Sequence, residues 1–227
     1  MPGPLEAKSS GKILDWLPIG KYNQEQVKQV ISKLKSARDA YDVFWGEMTP
    51  CDHSLHIYDD DTDFLTALEA FVVGGMSSGE SVVAIATESH TKVLIERLED
   101  SGVDVKSAID SGALIALDAD ETLSRFIVKG WPDDDKFRST IDEILTLARK
   151  GNRRVRAFGE MVALLWERGD NAATIRLEHL WHELCQEKEF SLFCAYPRIG
   201  FTDTALKSLQ IIREAHSRVL QPWASPA

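Results

Sequence analysis

From His53 onward the chain repeats one pattern: a short apolar run, a turn, then a longer stretch with apolar residues at helical spacing. The runs His53–Tyr58, Ser81–Thr87, Ala113–Leu117, Arg153–Phe158 and Phe190–Tyr196 read as strands. Several are apolar nearly throughout, as strands covered on both faces must be. Between them, Phe64, Leu68, Phe71 and Val72 line one helical face, and Phe137, Ile141, Ile144, Leu145 and Ala148 line another. Pro132 followed by Asp133, Asp134 and Asp135 marks a helix start, and Arg149-Lys150-Gly151 marks its end. Alternation of this kind predicts an α/β fold, a mostly parallel central sheet with helices on both faces.

The flanks read differently. Residues 1–22 are rich in Pro, Gly and Ser and are expected to form a flexible arm. Residues 23–48 read as one helix carried by Val27, Val30, Ile31, Leu34 and Ala37. A lone helix is too little for a helix-turn-helix, so this one is expected to pack on the main domain or on a partner. The main domain is placed at 49–200, and residues 201–227 as a helix over 204–220 with a tail.

Composition excludes several function classes. With 36 Asp and Glu against 26 Lys and Arg the net charge is −10, which disfavours a phosphate-neutralising nucleic-acid surface. The longest apolar run, Met161–Trp166, has six residues, against the roughly 18 needed to span a bilayer. The amino end lacks a basic-then-apolar signal pattern. Three cysteines without metal-type pairing fit a reducing, cytoplasmic setting.

In open α/β sheets ligands bind beyond the carboxyl ends of the strands. Those ends carry Tyr58, His90, Asp118, Glu160 and Tyr196, expected to converge on one mouth, with Arg156 as an ion-pair partner for Glu160. The acidic run Asp59–Asp61 with Asp63 reads first as a helix cap. Gly159 would let the backbone turn or approach something closely. No Walker A loop and no Gly-x-Ser-x-Gly elbow occurs, and an acidic turn after the first strand would repel phosphate. Metal spacing is weak. His53 and His56 fall on opposite strand faces, and His179 and His182 read as an exposed helix edge beside Glu178 and Cys185. His53 begins its strand, far from the mouth, and reads as structural; Cys194 reads as a buried, inert thiol. Neither a metal nor a cofactor is assigned.

The segments His53-Ser-Leu-His-Ile-Tyr58, Phe71 to Gly79-Glu80-Ser-Val-Val-Ala-Ile-Ala86, and Gly112-Ala-Leu-Ile-Ala-Leu-Asp118 resemble the methanogen/methylotroph DcmR sensory domain, MEDS. So do Arg156-Ala-Phe-Gly-Glu-Met161, Leu177-Glu-His-Leu-Trp181 and Phe193-Cys-Ala-Tyr-Pro197. The resemblance implies a RecA/KaiC-like fold that has lost its phosphate loop. It implies a non-enzymatic sensor of a small organic or hydrocarbon-derived molecule, of a kind usually attached to histidine kinases or transcriptional regulators. This sequence shows neither a kinase module nor a complete DNA-binding motif, so a regulator or histidine kinase is expected in trans, with a homodimer among the expected assemblies. An interaction scaffold without a ligand and a degenerate nucleotide-binding protein are the alternative readings.

Overall fold

In the computed structural model, residues 24–200 and 206–220 are described. Six strands form one sheet: β1 (His53–Tyr58), β2 (Ser81–Ala86), β3 (Leu114–Asp118), β6 (Val155–Gly159), β7 (Ser191–Pro197) and β8 (Arg218–Leu220). Their order is β3-β2-β6-β7-β1-β8, and every pairing is parallel. The five expected strands are all present, each within two residues of its expected ends. The sixth, β8, overturns the reading of 204–220 as one helix. Within the described residues α9 (Leu206–Glu214) ends early, and three residues of chain then pair with β1, Ser54 opposite Arg218. Three residues cannot display a strand period, so only pairing with β1 defines this element.

Helices cover both faces. On one lie α1 (Gln24–Gly46), α2 (Asp61–Ser77), α3 (Glu88–Asp100) and α4 (Val105–Asp110), packed through Trp45, Phe64, Phe71, Leu94 and Leu98 onto Val82, Ala84, Phe158 and Phe193. On the other lie α5 (Ala119–Ser124), α6 (Asp134–Ala148), α7 (Met161–Glu167), α8 (Asn171–Lys188) and α9, over Val83, Ile85, Ala157 and Cys194. Adjacent residues of one strand thus serve opposite cores, and this explains the unbroken apolar runs in the sequence.

Carboxylates and one threonine start the helices. Asp60, Thr87, Asp104, Asp118 and Asp133 each accept a hydrogen bond from the backbone N–H three residues on. The acidic run after β1 is therefore first of all a cap, as its sequence suggested. A small hairpin of β4 (Ile127–Val128) and β5 (Trp131–Pro132) precedes α6, turning through Lys129 and Gly130, both at positive φ. The expected N-terminal helix is α1. Its indole Trp45 is buried and donates to the Ala67 carbonyl at 3.0 Å, and Arg38 pairs with Glu69 at 2.5 Å. It packs on the main domain, as one of its two expected roles required. The expected flexible arm lies outside the described residues. No helix among those described is long and apolar enough to cross a membrane.

Candidate functional site

The order β3-β2-β6-β7 contains a reversal. After β2 the chain enters α3 on one face of the sheet; after β6 it enters α7 on the other. Diverging connections leave a crevice between the carboxyl ends of β2 and β6, the position at which open α/β sheets hold ligands.

Glu160 fills the head of that crevice. It occupies the N-cap position of α7 but makes no side-chain cap bond. Its carboxylate instead crosses to the end of β2, where Oε2 accepts from the Thr87 N–H at 2.8 Å. Its own backbone N–H donates to the Ile85 carbonyl at 2.9 Å. His90, on the first turn of α3, places Nδ1 2.6 Å from Glu160 Oε1. Glu160 is 5 % exposed, so this buried carboxylate is satisfied by one amide and one imidazole. Burial alone would lower the His90 pKa. The hydrogen bond and charge of Glu160, aided by Asp61 and Glu167, outweigh burial and raise it above the ordinary imidazole value. The imidazolium thus belongs to an ion pair.

Aromatic rings close the crevice from below. Tyr58 stacks on Phe64 at 4.8 Å, and Phe64 meets the His90 ring edge-on at 5.0 Å. Burial, with the charges of Glu160, Asp61 and Glu167, pushes the Tyr58 phenol well up, so it stays a neutral hydrogen-bonding group. Asp61 Oδ1 lies 4.0 Å from His90 Nε2 at the exposed rim. The mouth is an aromatic floor, a buried His–Glu pair and an acidic rim.

Of the six expected residues, Tyr58, His90 and Glu160 meet here. Thr87 and Asp61, which the sequence places at the same strand ends, join them. Phe64 and Glu167 belong with them and were missed, Phe64 because it reads as part of a helical core stripe. Asp118 stands apart on β3. Its carboxylate caps α5 through Glu121 N at 2.8 Å and borders a shallow groove of about 270 Å³ with Leu117, Arg125 and Glu143. Asp118 and Tyr196 therefore do not share the mouth.

The expected Arg156–Glu160 ion pair is not formed. Four residues of extended chain separate the two by about 13 Å. Arg156 is buried on the α2 face, where Nε donates to Glu80 and Nη1 donates to the Phe71 carbonyl at 3.2 Å. Tyr196 is buried on the opposite face and donates its hydroxyl to Glu178 on α8. Glu178, expected on an exposed helix edge with His179, is itself 1 % exposed. Cys185 likewise is buried rather than at that edge, its thiol donating to the Phe190 carbonyl at 2.9 Å. Gly159 has no positive φ, and what approaches its backbone is the Trp181 ring. Among the described residues, one group of four side chains could hold a metal ion, namely His53, Glu178, Cys194 and His216. It lies under α8 and α9, away from the mouth.

No curated protein matches the chain. A family model does: MEDS, the methanogen/methylotroph DcmR sensory domain, matches residues 52–211, from the residue before β1 into α9. That span takes in the whole switch-point crevice and well over half of the sequence. The chain belongs to the MEDS family of sensory domains.

Proposed function

We propose that this sensory domain is non-enzymatic and binds a small organic, hydrocarbon-derived molecule in the crevice between β2 and β6. The observation that carries the reading is the Glu160 carboxylate, buried at the switch point and shared between the Thr87 amide and His90. A hydroxyl or amine that hydrogen-bonds Glu160 or His90 competes with the contact joining the start of α3 to the start of α7. Occupancy then shifts the relation between the two helical layers as far as the ligand discriminates between the two arrangements. The acidic rim selects short alcohols and methylated amines over carboxylates and phosphates, and the aromatic floor supplies apolar contact. The three cysteines, all free thiols, fit a reducing cytoplasm. The output passes through α1 or the α9–β8 edge to a regulator or kinase in trans, or to a second copy of the chain. Descent from a RecA-like ATPase is part of the same reading, with the acidic turn Tyr58–Asp63 standing where a phosphate loop would be.

A thermal-shift series tests this, using short alcohols, methylated amines and Mg-ATP on the wild type and on Glu160→Gln. A ligand at 100 times its dissociation constant adds about 2.7 kcal/mol. For a chain of this length that is roughly 5–10 °C. The expected result is a shift with an alcohol or amine that disappears in a folded Glu160→Gln protein. An equal shift in that variant removes the site, and a response to Mg-ATP alone removes the reading.

A further inference from the structure

Behind the sheet, four side chains from four elements meet with their polar atoms inward. His53 comes from the start of β1, Glu178 from α8, Cys194 from the middle of β7, and His216 from the bend between α9 and β8. All four are buried, and their donor atoms lie within 4.8 Å of one another. His53 Nε2 is 3.4 Å from Cys194 Sγ and 3.4 Å from Glu178 Oε2; His216 Nε2 is 3.5 Å from the same carboxylate oxygen.

The outer contacts aim these atoms. The Ala215 carbonyl lies 3.1 Å from His53 Nδ1 and the Ile212 carbonyl 2.6 Å from His216 Nδ1. A carbonyl only accepts, so each Nδ1 carries the proton and each Nε2 presents a lone pair to the cluster. The Tyr196 hydroxyl donates to Glu178 Oε1, turning Oε2 inward. Two bare imidazole nitrogens and a carboxylate oxygen thus face one another in a space closed to solvent. Glu178 Oε2 and His216 Nε2 have no hydrogen-bond partner. The Cys194 thiol, 3.4 Å from His53 Nε2, is the one weak donor among these acceptors, and a cation at their centre would satisfy them all.

We propose that His53, Glu178, Cys194 and His216 bind one zinc ion. Bonds of about 2.0–2.3 Å to a tetrahedral ion set its ligand atoms about 3.3–3.8 Å apart. Three of the six edges, at 3.4, 3.4 and 3.5 Å, lie in that range, and all four ligand atoms stand within 4.8 Å of one another. The donor set is two imidazoles, one thiolate and one carboxylate, soft enough to exclude magnesium and calcium. Binding breaks the Cys194 S–H bond, the proton leaves to solvent, and the Zn–S bond forms. Thiolate and carboxylate together then balance the divalent charge, so a neutral unit is buried. Four protein ligands leave no open position, which makes the site structural. Each ring's Nδ1–H···O=C bond, and the tyrosine on the carboxylate, are the supports such ligands require. The ion would fasten the α9–β8 edge to β1, β7 and α8. This goes beyond the sensory reading, which rests on a different pair of residues at the other end of the sheet.

Untagged full-length protein, stripped with a chelator and dialysed, is titrated with Zn²⁺ and Co²⁺. We expect one equivalent of either per chain. The Co²⁺ form should show the intense visible bands of tetrahedral geometry and a near-ultraviolet thiolate charge-transfer band. Cys194→Ser should abolish that band, whereas Cys51→Ser and Cys185→Ser should keep it. His216→Ala should weaken Zn²⁺ binding by about a hundredfold or more, beyond the loss seen for outer-contact residues. No stoichiometric metal, an octahedral spectrum, or a charge-transfer band surviving in Cys194→Ser would overturn the proposal. If Cys194→Ser does not fold, the wild-type Co²⁺ spectrum and the two cysteine controls decide alone.

Discussion

His90 shows how one residue's environment becomes a measurable property. Its imidazolium is held by Glu160, so its folded pKa stands above the unfolded value. The sign follows from linkage. Stabilisation from this pair is complete below the unfolded pKa of about 6.5 and is lost as pH rises through the folded value. An NMR titration of His90 should therefore give a midpoint above that of a free imidazole, and Glu160→Gln should bring it down. A midpoint unmoved by the substitution would mean that Glu160 does not hold the charge. Gly75 offers a steric counterpart. A Cβ there would stand 2.6 Å from Arg156 Cδ and 2.7 Å from Val82 Cγ2. Gly75→Ala should cost about 1–3 kcal/mol in a denaturant titration despite the better helix propensity of alanine, because both neighbours are held in the core.

At the scale of elements, the buried Arg156–Glu80 pair ties β6 to the end of α2 and the start of β2. Arg156 is 3 % exposed and Glu80 7 %. Glu80→Ala leaves a guanidinium buried without its carboxylate and should cost about 3–5 kcal/mol. Arg154, which reaches the same carboxylate at 3.2 Å from an exposed position, is the control. Its replacement by alanine should cost no more than about 1 kcal/mol. Equal losses in the two variants would show that burial does not set the value of this pair. The N-terminal helix is held through a different chemistry. Trp45 inserts between Phe71 and Phe193, with ring centroids at 5.0 and 4.7 Å. Trp45→Ala should lower stability by about 3–5 kcal/mol, read as a shift in the unfolding midpoint. It should also expose α1 to proteolysis; retained protection would mean the helix is fixed instead by its polar contacts, Arg38 to Glu69 and the Tyr41 hydroxyl to Asp63.

For the whole molecule, the division between sequence and tertiary structure is sharp. Apolar runs and helical stripes determine an α/β sandwich by themselves, because each run must be buried on two sides and parallel strands need helical crossovers. Caps were legible for the same local reason: Asp60 and Asp133 act within three residues of themselves. Strand order is not local. It brings Thr87 to Glu160 across the β2–β6 gap and sends Arg156 to Glu80, neither of which any spacing displays. The metal-ligand geometry is less local still. His53 and His216 stand 163 positions apart in the chain. Cys194 lies in what reads as an ordinary buried strand, and Glu178 beside a helical seam. Spacing rules group donors that one turn or one loop can gather. These four are gathered by β1 pairing with both β7 and β8 under α8 and α9, a consequence of packing that only the folded chain contains.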